Sequence, residues 1–136
     1  MSTFDPHVWL QDYLKTHGGV AGTVHARQGE SLVMAASVNI PPKVVEVTRE
    51  IPYGKGMAGL AWQRNEPVQT CNLKDDDSGD VRPGAKAVNA HAAVAIPVHD
   101  THGKVRAVVG IAFMGEREIG AEELAALSTA AAAFAG

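Results

Sequence analysis

AAVAIPVHDTHGKVRAVVGIAFM, residues 92–114, decides the architecture of this chain. Val94, Ile96 and Val98 alternate with Ala93, Ala95 and Pro97, in step with His91. Beyond the polar turn 99–103, Val105, Ala107, Val109, Ile111 and Phe113 alternate with Arg106, Val108, Gly110, Ala112 and Met114. Period-two alternation on both sides of a short glycine-containing turn predicts two neighbouring antiparallel strands. Each strand has one bulky apolar face and one face of small residues. The bulky faces need an apolar cover. The small faces, with Ala93, Ala95, Gly110 and Ala112, leave volume on the far side. That volume is either an open pocket or a space filled by a covering segment that carries Met57 and Trp62, and the sequence leaves both open.

The cover for the bulky faces comes from the two ends of the chain. Near the N-terminus, Asp5 has capping chemistry and Pro6 suits the first helical position, where its missing N–H costs nothing. Phe4 and Trp9 have staple spacing across that cap. Trp9, Leu10, Tyr13 and Leu14 then share one helical face, and Gly18-Gly19 stops the helix. Near the C-terminus, residues 121–135 are predicted as an alanine-rich helix. Glu122 and Glu123 favour its positive end, and Leu124, Leu127, Ala131 and Phe134 form a packing seam. Between the two ends, residues 20–27 and 32–38 read as strands around Gln28-Gly29-Glu30, and Pro41-Pro42 breaks the pattern. Residues 44–51 fit both periods, and their β-branched content favours a strand. The glycines at 54, 56 and 59 open a short helix over residues 60–64. Residues 67–71 form a short strand, and residues 72–90 form a long polar loop.

Composition removes several classes of function. The 136 residues are 46% hydrophobic and 20% charged, and the net charge is −3. This is one globular domain, 1–136, rather than a disordered chain. No Lys or Arg cluster offers a footprint for nucleic acid or an anionic membrane. No apolar run reaches the ~18 residues that span a bilayer, and no leader pattern opens the chain. A lone cysteine, Cys71, forms no internal disulfide, so the expected compartment is the reducing cytoplasm.

Three blocks together, IPYGKGMAGLAWQRNEPVQTCNL, HAAVAIPVHDTHGKVRAVVGIAF and EELAALSTAAAAF, resemble a GAF domain, the small-molecule-sensing module of many signalling proteins. The resemblance implies an α+β fold of the GAF-like, profilin-like type. A central antiparallel sheet would carry the N- and C-terminal helices on one face and a pocket covered by loops and short helices on the other. It also implies a non-enzymatic sensor that takes an unidentified small molecule or a protein partner. The GAF-like unit takes up the 136 residues, so output is expected in trans, through an effector protein or a homodimer built on the terminal helices. The expected ligand-binding residues are Met57, Trp62, Arg82, His91, Ala93, Ala95, Gly110 and Ala112; Arg82 and His91 bracket the stretch that lids the pocket in the family. Two alternatives stand beside this reading. One is a degenerate redox enzyme related to the free-methionine-sulfoxide reductases of the family, with Cys71 as its thiol. The other is a ligand-free structural domain.

Individual residues argue against richer chemistry. Those reductases use several cysteines, and Cys71 has no second cysteine to resolve it. Bilin-binding members carry a cysteine beside histidine before the Ile-Pro-Val strand, where this chain has Asn89-Ala90-His91-Ala92-Ala93. Asp75, Asp76, Asp77 and Asp80 miss the calcium-loop register. His99 and His102 sit on a hairpin turn without matching ligands. The Gly-x-Gly-x-x-Gly spacing at 54–59 lacks a crossover helix of useful length, so it reads as a packing turn rather than a dinucleotide loop. No catalytic residue, metal or cofactor is expected.

Overall fold

The computed structural model describes residues 5–70, 92–114 and 119–134. The hairpin quoted above becomes β5 (Ala92–His99) and β6 (Val105–Phe113), paired antiparallel with Ala95 opposite Gly110 and Val94 opposite Ile111. β1 (Ala21–Gln28) pairs with the other edge of β6, and β2 (Ser31–Val38) with β1. The short strands β3 (Glu50–Pro52) and β4 (Val68–Thr70) complete a six-stranded antiparallel sheet in the order β3-β2-β1-β6-β5-β4. Four helices accompany it among the described residues: α1 (Pro6–His17), α2 (Pro42–Thr48), α3 (Gly56–Arg64) and α4 (Ala121–Ala131).

The bulky face is closed by α1 and α4. Asp5 caps α1 through its carboxylate, which accepts from the His7 and Val8 amides, and Gly18 ends the helix in a left-handed conformation. Phe4, the other half of the expected staple, lies outside the described residues. Leu10, Tyr13 and Leu14 of α1 and Leu127, Ala131 and Phe134 pack on Val94, Ile96, Val109 and Ile111 as one core. The Tyr13 hydroxyl donates to the Leu127 carbonyl across 2.9 Å, tying the two helices together. Trp9 stacks on Tyr13 and meets Phe134 edge-on, with ring centroids 5.0 and 5.1 Å away. Gln69 of β4 clamps the entry to α4: its side-chain amide accepts from the Ile119 N–H and donates to the Ile119 carbonyl.

Three local expectations are corrected. Residues 42–48 are helix α2, not the start of a strand, and only Glu50–Pro52 is extended. Pro42 presets the first helical turn, the Pro41 carbonyl accepts from the Val44 and Val45 amides, and the Thr48 hydroxyl bonds back to the Val44 carbonyl. The helical propensity penalty of valine and threonine is a few tenths of a kcal/mol each, small beside the burial of Val44 against the sheet. The final helix ends at Ala131, short of residue 135. Tighter i→i+3 bonds at Ala133 and Phe134 turn the Phe134 ring into the core. Val105 leaves the face assigned to it. Val98 lies opposite Ala107 while His99 lies opposite Val105, so Arg106 is an extra residue in β6. The bulge inverts the alternation, and Val105 joins Ala95, Val108 and Leu32 on the other side of the sheet.

Candidate functional site

The small-residue face of the sheet does enclose space. A cavity of about 130 Å³ lies between it and a cover made by α2, the start of α3 and residues flanking them. Its floor contains Ala93 and Ala95 of β5, Gly110 and Ala112 of β6, and Thr23 and His25 of β1. Its cover contains Ile40, Val44, Thr48, Ile51, Met57 and Ala58. The floor is low for a direct reason: Ala93 lies opposite Ala112, and Ala95 opposite Gly110, so neighbouring positions carry one carbon or none. A Cβ at position 110 would stand 2.9 Å from the Thr23 hydroxyl oxygen, so a larger residue there requires Thr23 to shift.

Five of the residues expected from sequence, Met57, Ala93, Ala95, Gly110 and Ala112, are thus brought together. Trp62 lies apart. It packs against the core that contains Leu32, Val68, Val105 and Val108, meets Tyr53 edge-on at 4.8 Å and lies 5.5 Å from the Arg27 guanidinium, outside the cavity lining. Arg82, His91 and Cys71 fall outside the described residues. The glycine turn before α3 is spent on packing. The Gly54 amide donates to the Gly59 carbonyl, and a Cβ at Gly59 would meet the Pro52 carbonyl at 2.7 Å.

The residue that sequence reasoning passed over is His25. Alternation along β1 was the available signal, since Ala21, Thr23 and His25 share one face and Gly22 and Val24 the other. Val24 is in the core under the helices, which sends His25 to the cavity side. His25 is only 2% exposed. Its Nε2 lies 2.8 Å from the Thr48 carbonyl at the end of α2. A carbonyl only accepts, so Nε2 carries the proton. The contact satisfies a C-terminal helix carbonyl and fastens α2 over the sheet. Nδ1 is buried and has no hydrogen-bond partner among the described residues. Burial pushes the imidazole pKa below its ordinary value, outweighing the upward pull of the Thr48 contact. The ring is therefore neutral near pH 7, with a bare lone pair on Nδ1. Thr48 spends its hydroxyl proton on the Val44 carbonyl. The described lining holds no Asp, Glu, Lys or Arg.

On the turn between β5 and β6, the Asp100 carboxylate accepts from the His102 and Lys104 amides, bonds that hold its pKa below the usual range. His99 turns instead to the Asn65 side chain. Among the described residues, no group of three or more His, Cys, Asp or Glu side chains is placed to hold a metal, and no helix is long and apolar enough to cross a membrane.

The six-stranded order, the helices on one face and a covered floor on the other match known proteins. The sequence profile of the GAF domain matches residues 10–135. The chain belongs to the GAF domain family. Solved structures with a similar fold include a type II free methionine-R-sulfoxide reductase from Thermoplasma acidophilum. It is 18% identical, with a TM-score of 0.74 over 90% of this chain and 82% of that one. The GAF domain of an Acinetobacter phosphoenolpyruvate-protein phosphotransferase is 16% identical, with a TM-score of 0.74 over 93% of this chain and 75% of that one. A free methionine-R-sulfoxide reductase from Neisseria meningitidis, solved with its substrate, is 16% identical, with a TM-score of 0.68 over 90% and 73%. No curated protein matches the chain. At these identities the likeness is one of fold. GAF domains commonly serve as sensor or regulatory modules, and the fold is shared here by the GAF domain of a phosphotransferase and by free methionine-R-sulfoxide reductases.

Proposed function

We propose that this GAF domain is a non-enzymatic sensor that binds a small molecule in the cavity between the sheet and α2. One observation carries the reading: an apolar cavity whose floor is held low by Ala93, Ala95, Gly110 and Ala112 and whose cover is a separate short helix. An engineered cavity of ~150 Å³ with an apolar lining takes up benzene. The 130 Å³ here is therefore the scale of a small organic molecule, well below a nucleotide or a bilin. Ligand occupancy bears directly on α2, because Val44 and Thr48 of that helix line the space. The redox alternative asks Cys71 to be oxidised by a sulfoxide and then resolved. The chain holds no second cysteine to do so.

The output is proposed to pass to a second polypeptide, either an effector or a second copy of the chain on α1 and α4. On those helices Val8 is 52% exposed, and Trp9 and Leu124 are partly exposed. Leu127 and Tyr13 are in the core, so any pairing uses the outer faces of the helices. Sedimentation equilibrium of the parent and of Val8→Glu tests this: a dimer weakened by the glutamate is expected, and a single-chain mass at all loadings refutes pairing. Native mass spectrometry tests the cavity. A retained or added compound should bind one per chain and be lost in Ala112→Leu, which fills the floor.

A further inference from the structure

Among the described residues, His25 carries a buried polar atom without a hydrogen-bond partner, and its ring lines the cavity. His25 Nε2–H is committed to the Thr48 carbonyl at 2.8 Å, so the opposite ring nitrogen faces its surroundings as an acceptor. That nitrogen, Nδ1, is the atom without a partner. A buried acceptor left unmatched is costly, and the large majority of buried polar atoms in native proteins have a partner. The geometry behind it is built. Opposite the Val24–His25 step of β1, β2 carries an extra residue, Ala35, while the register to β6 runs unbroken through His25 opposite Val108. The ring is thus held by a continuous ladder on one side and by α2 above.

The remaining lining sets the rest of the specificity. Ala93, Ala95, Met57, Val44, Ile40 and Ile51 offer dispersion contacts only. The described lining has no charged side chain, so among these residues an ionic ligand would find no compensating charge. A neutral imidazole with a fixed tautomer asks for a donor and rejects a second acceptor. We propose that the cavity recognises an uncharged molecule of about benzene size through a single N–H or O–H that donates to His25 Nδ1. This rests on the reading of the cavity as a ligand site. It adds the chemistry: a compact hydroxyl- or N–H-bearing hydrocarbon or heteroaromatic, rather than an anion, a zwitterion or a pure hydrocarbon.

Phenol and fluorobenzene separate the alternatives, because they have nearly the same shape and only phenol donates. A purely apolar cavity prefers fluorobenzene, since the phenol hydroxyl loses water without compensation. The expected result is tighter binding of phenol to the intact protein by about tenfold, the worth of one hydrogen bond to a buried acceptor. His25→Leu should reverse the preference while fluorobenzene still binds. The leucine variant also strips the Thr48 carbonyl of its donor and so is exposed to misfolding. A second measurement on the parent protein avoids that. With histidine labelled by ¹⁵N, His25 should show a protonated Nε2 and a bare Nδ1, and the Nδ1 resonance should move upfield when phenol binds but not when fluorobenzene does. Equal or tighter binding of fluorobenzene, a bare Nε2, or an Nδ1 resonance indifferent to phenol overturns the donor inference and leaves the cavity reading standing. Failure of both compounds to bind at millimolar concentration overturns the cavity reading itself, and the donor inference with it.

Discussion

The two faces of one sheet behave as opposites, although the same strands make both. Toward α1 and α4, Val94, Ile96, Val109 and Ile111 meet Leu10, Leu14, Leu127 and Phe134 in a closed core. Toward α2 and α3, the intervening residues Ala93, Ala95, Gly110 and Ala112 are too small to fill the space beneath their cover. On the first face the strand side chains are fully buried beneath the helices; on the second a cavity of about 130 Å³ stands above the small residues. The polar inventory divides in the same way. The buried Tyr13 hydroxyl finds the Leu127 carbonyl, whereas buried His25 keeps one nitrogen unmatched among the described residues. The helix side closes on packed side chains and paired polar groups, whereas the other side combines the packed residues Leu32, Val105 and Val108 with a cavity.

That contrast is open to direct attack. The largest effect should come from the closed face. Leu127→Ala removes a fully buried side chain from the centre of that core and should destabilise by about 3 kcal/mol in denaturant titration. A loss well below 1 kcal/mol would mean that this face, too, contains slack. On the cavity face, enlargement should divide by position. Ala95 is 3% exposed and already packs with Leu32, Val68 and Val108, so Ala95→Leu should cost about 1–3 kcal/mol. Ala112 is only partly buried beside Ala21 and Met57, so Ala112→Leu should stay within about 1 kcal/mol of the parent while abolishing fluorobenzene binding. Equal costs at the two positions would show that the cavity does not reach Ala112.

The smallest effect is a slope. Burial holds the folded-state pKa of His25 below its ordinary value of 6.5, so the unfolded chain binds its proton first. The contribution of His25 to stability is fully present above about pH 6.5 and is lost as pH falls toward the folded-state value. His25→Gln does not titrate there. Its stability should fall less than that of the parent between neutral and mildly acid pH, read as the difference between two denaturant series. Parallel curves would mean that the ring titrates normally and that the cavity face is wetter than its lining implies.

Much of this was legible in the residues. The alternation at 92–98 and 107–113 fixes which side chains share a face, because successive Cβ atoms on a strand must oppose each other. The caps at Asp5 and Gly18 and the seam through Leu124, Leu127 and Ala131 mark the helices that close the bulky face. The family itself was legible, as was the role of Ala93, Ala95, Gly110 and Ala112 as a low floor. Such features are local, or repeat along one element. What remained hidden depends on contacts between elements distant in the chain. The β-branched run at 44–48 becomes helix α2 because burying Val44 and bonding the Thr48 carbonyl to His25 outweigh a weak local preference. Val105 changes sides because a bulge inserts Arg106, which no periodicity announces. Trp62 turns to Tyr53 and Arg27 rather than to the cavity. His25 is a lone histidine in a strand until residue 48 is folded over it. By itself the sequence determined the two faces of the sheet and their unequal volumes, since these follow from side-chain size and a period of two. Only the tertiary structure decided that the smaller face stays open and that a buried imidazole lines it, since both depend on where a separate helix comes to rest.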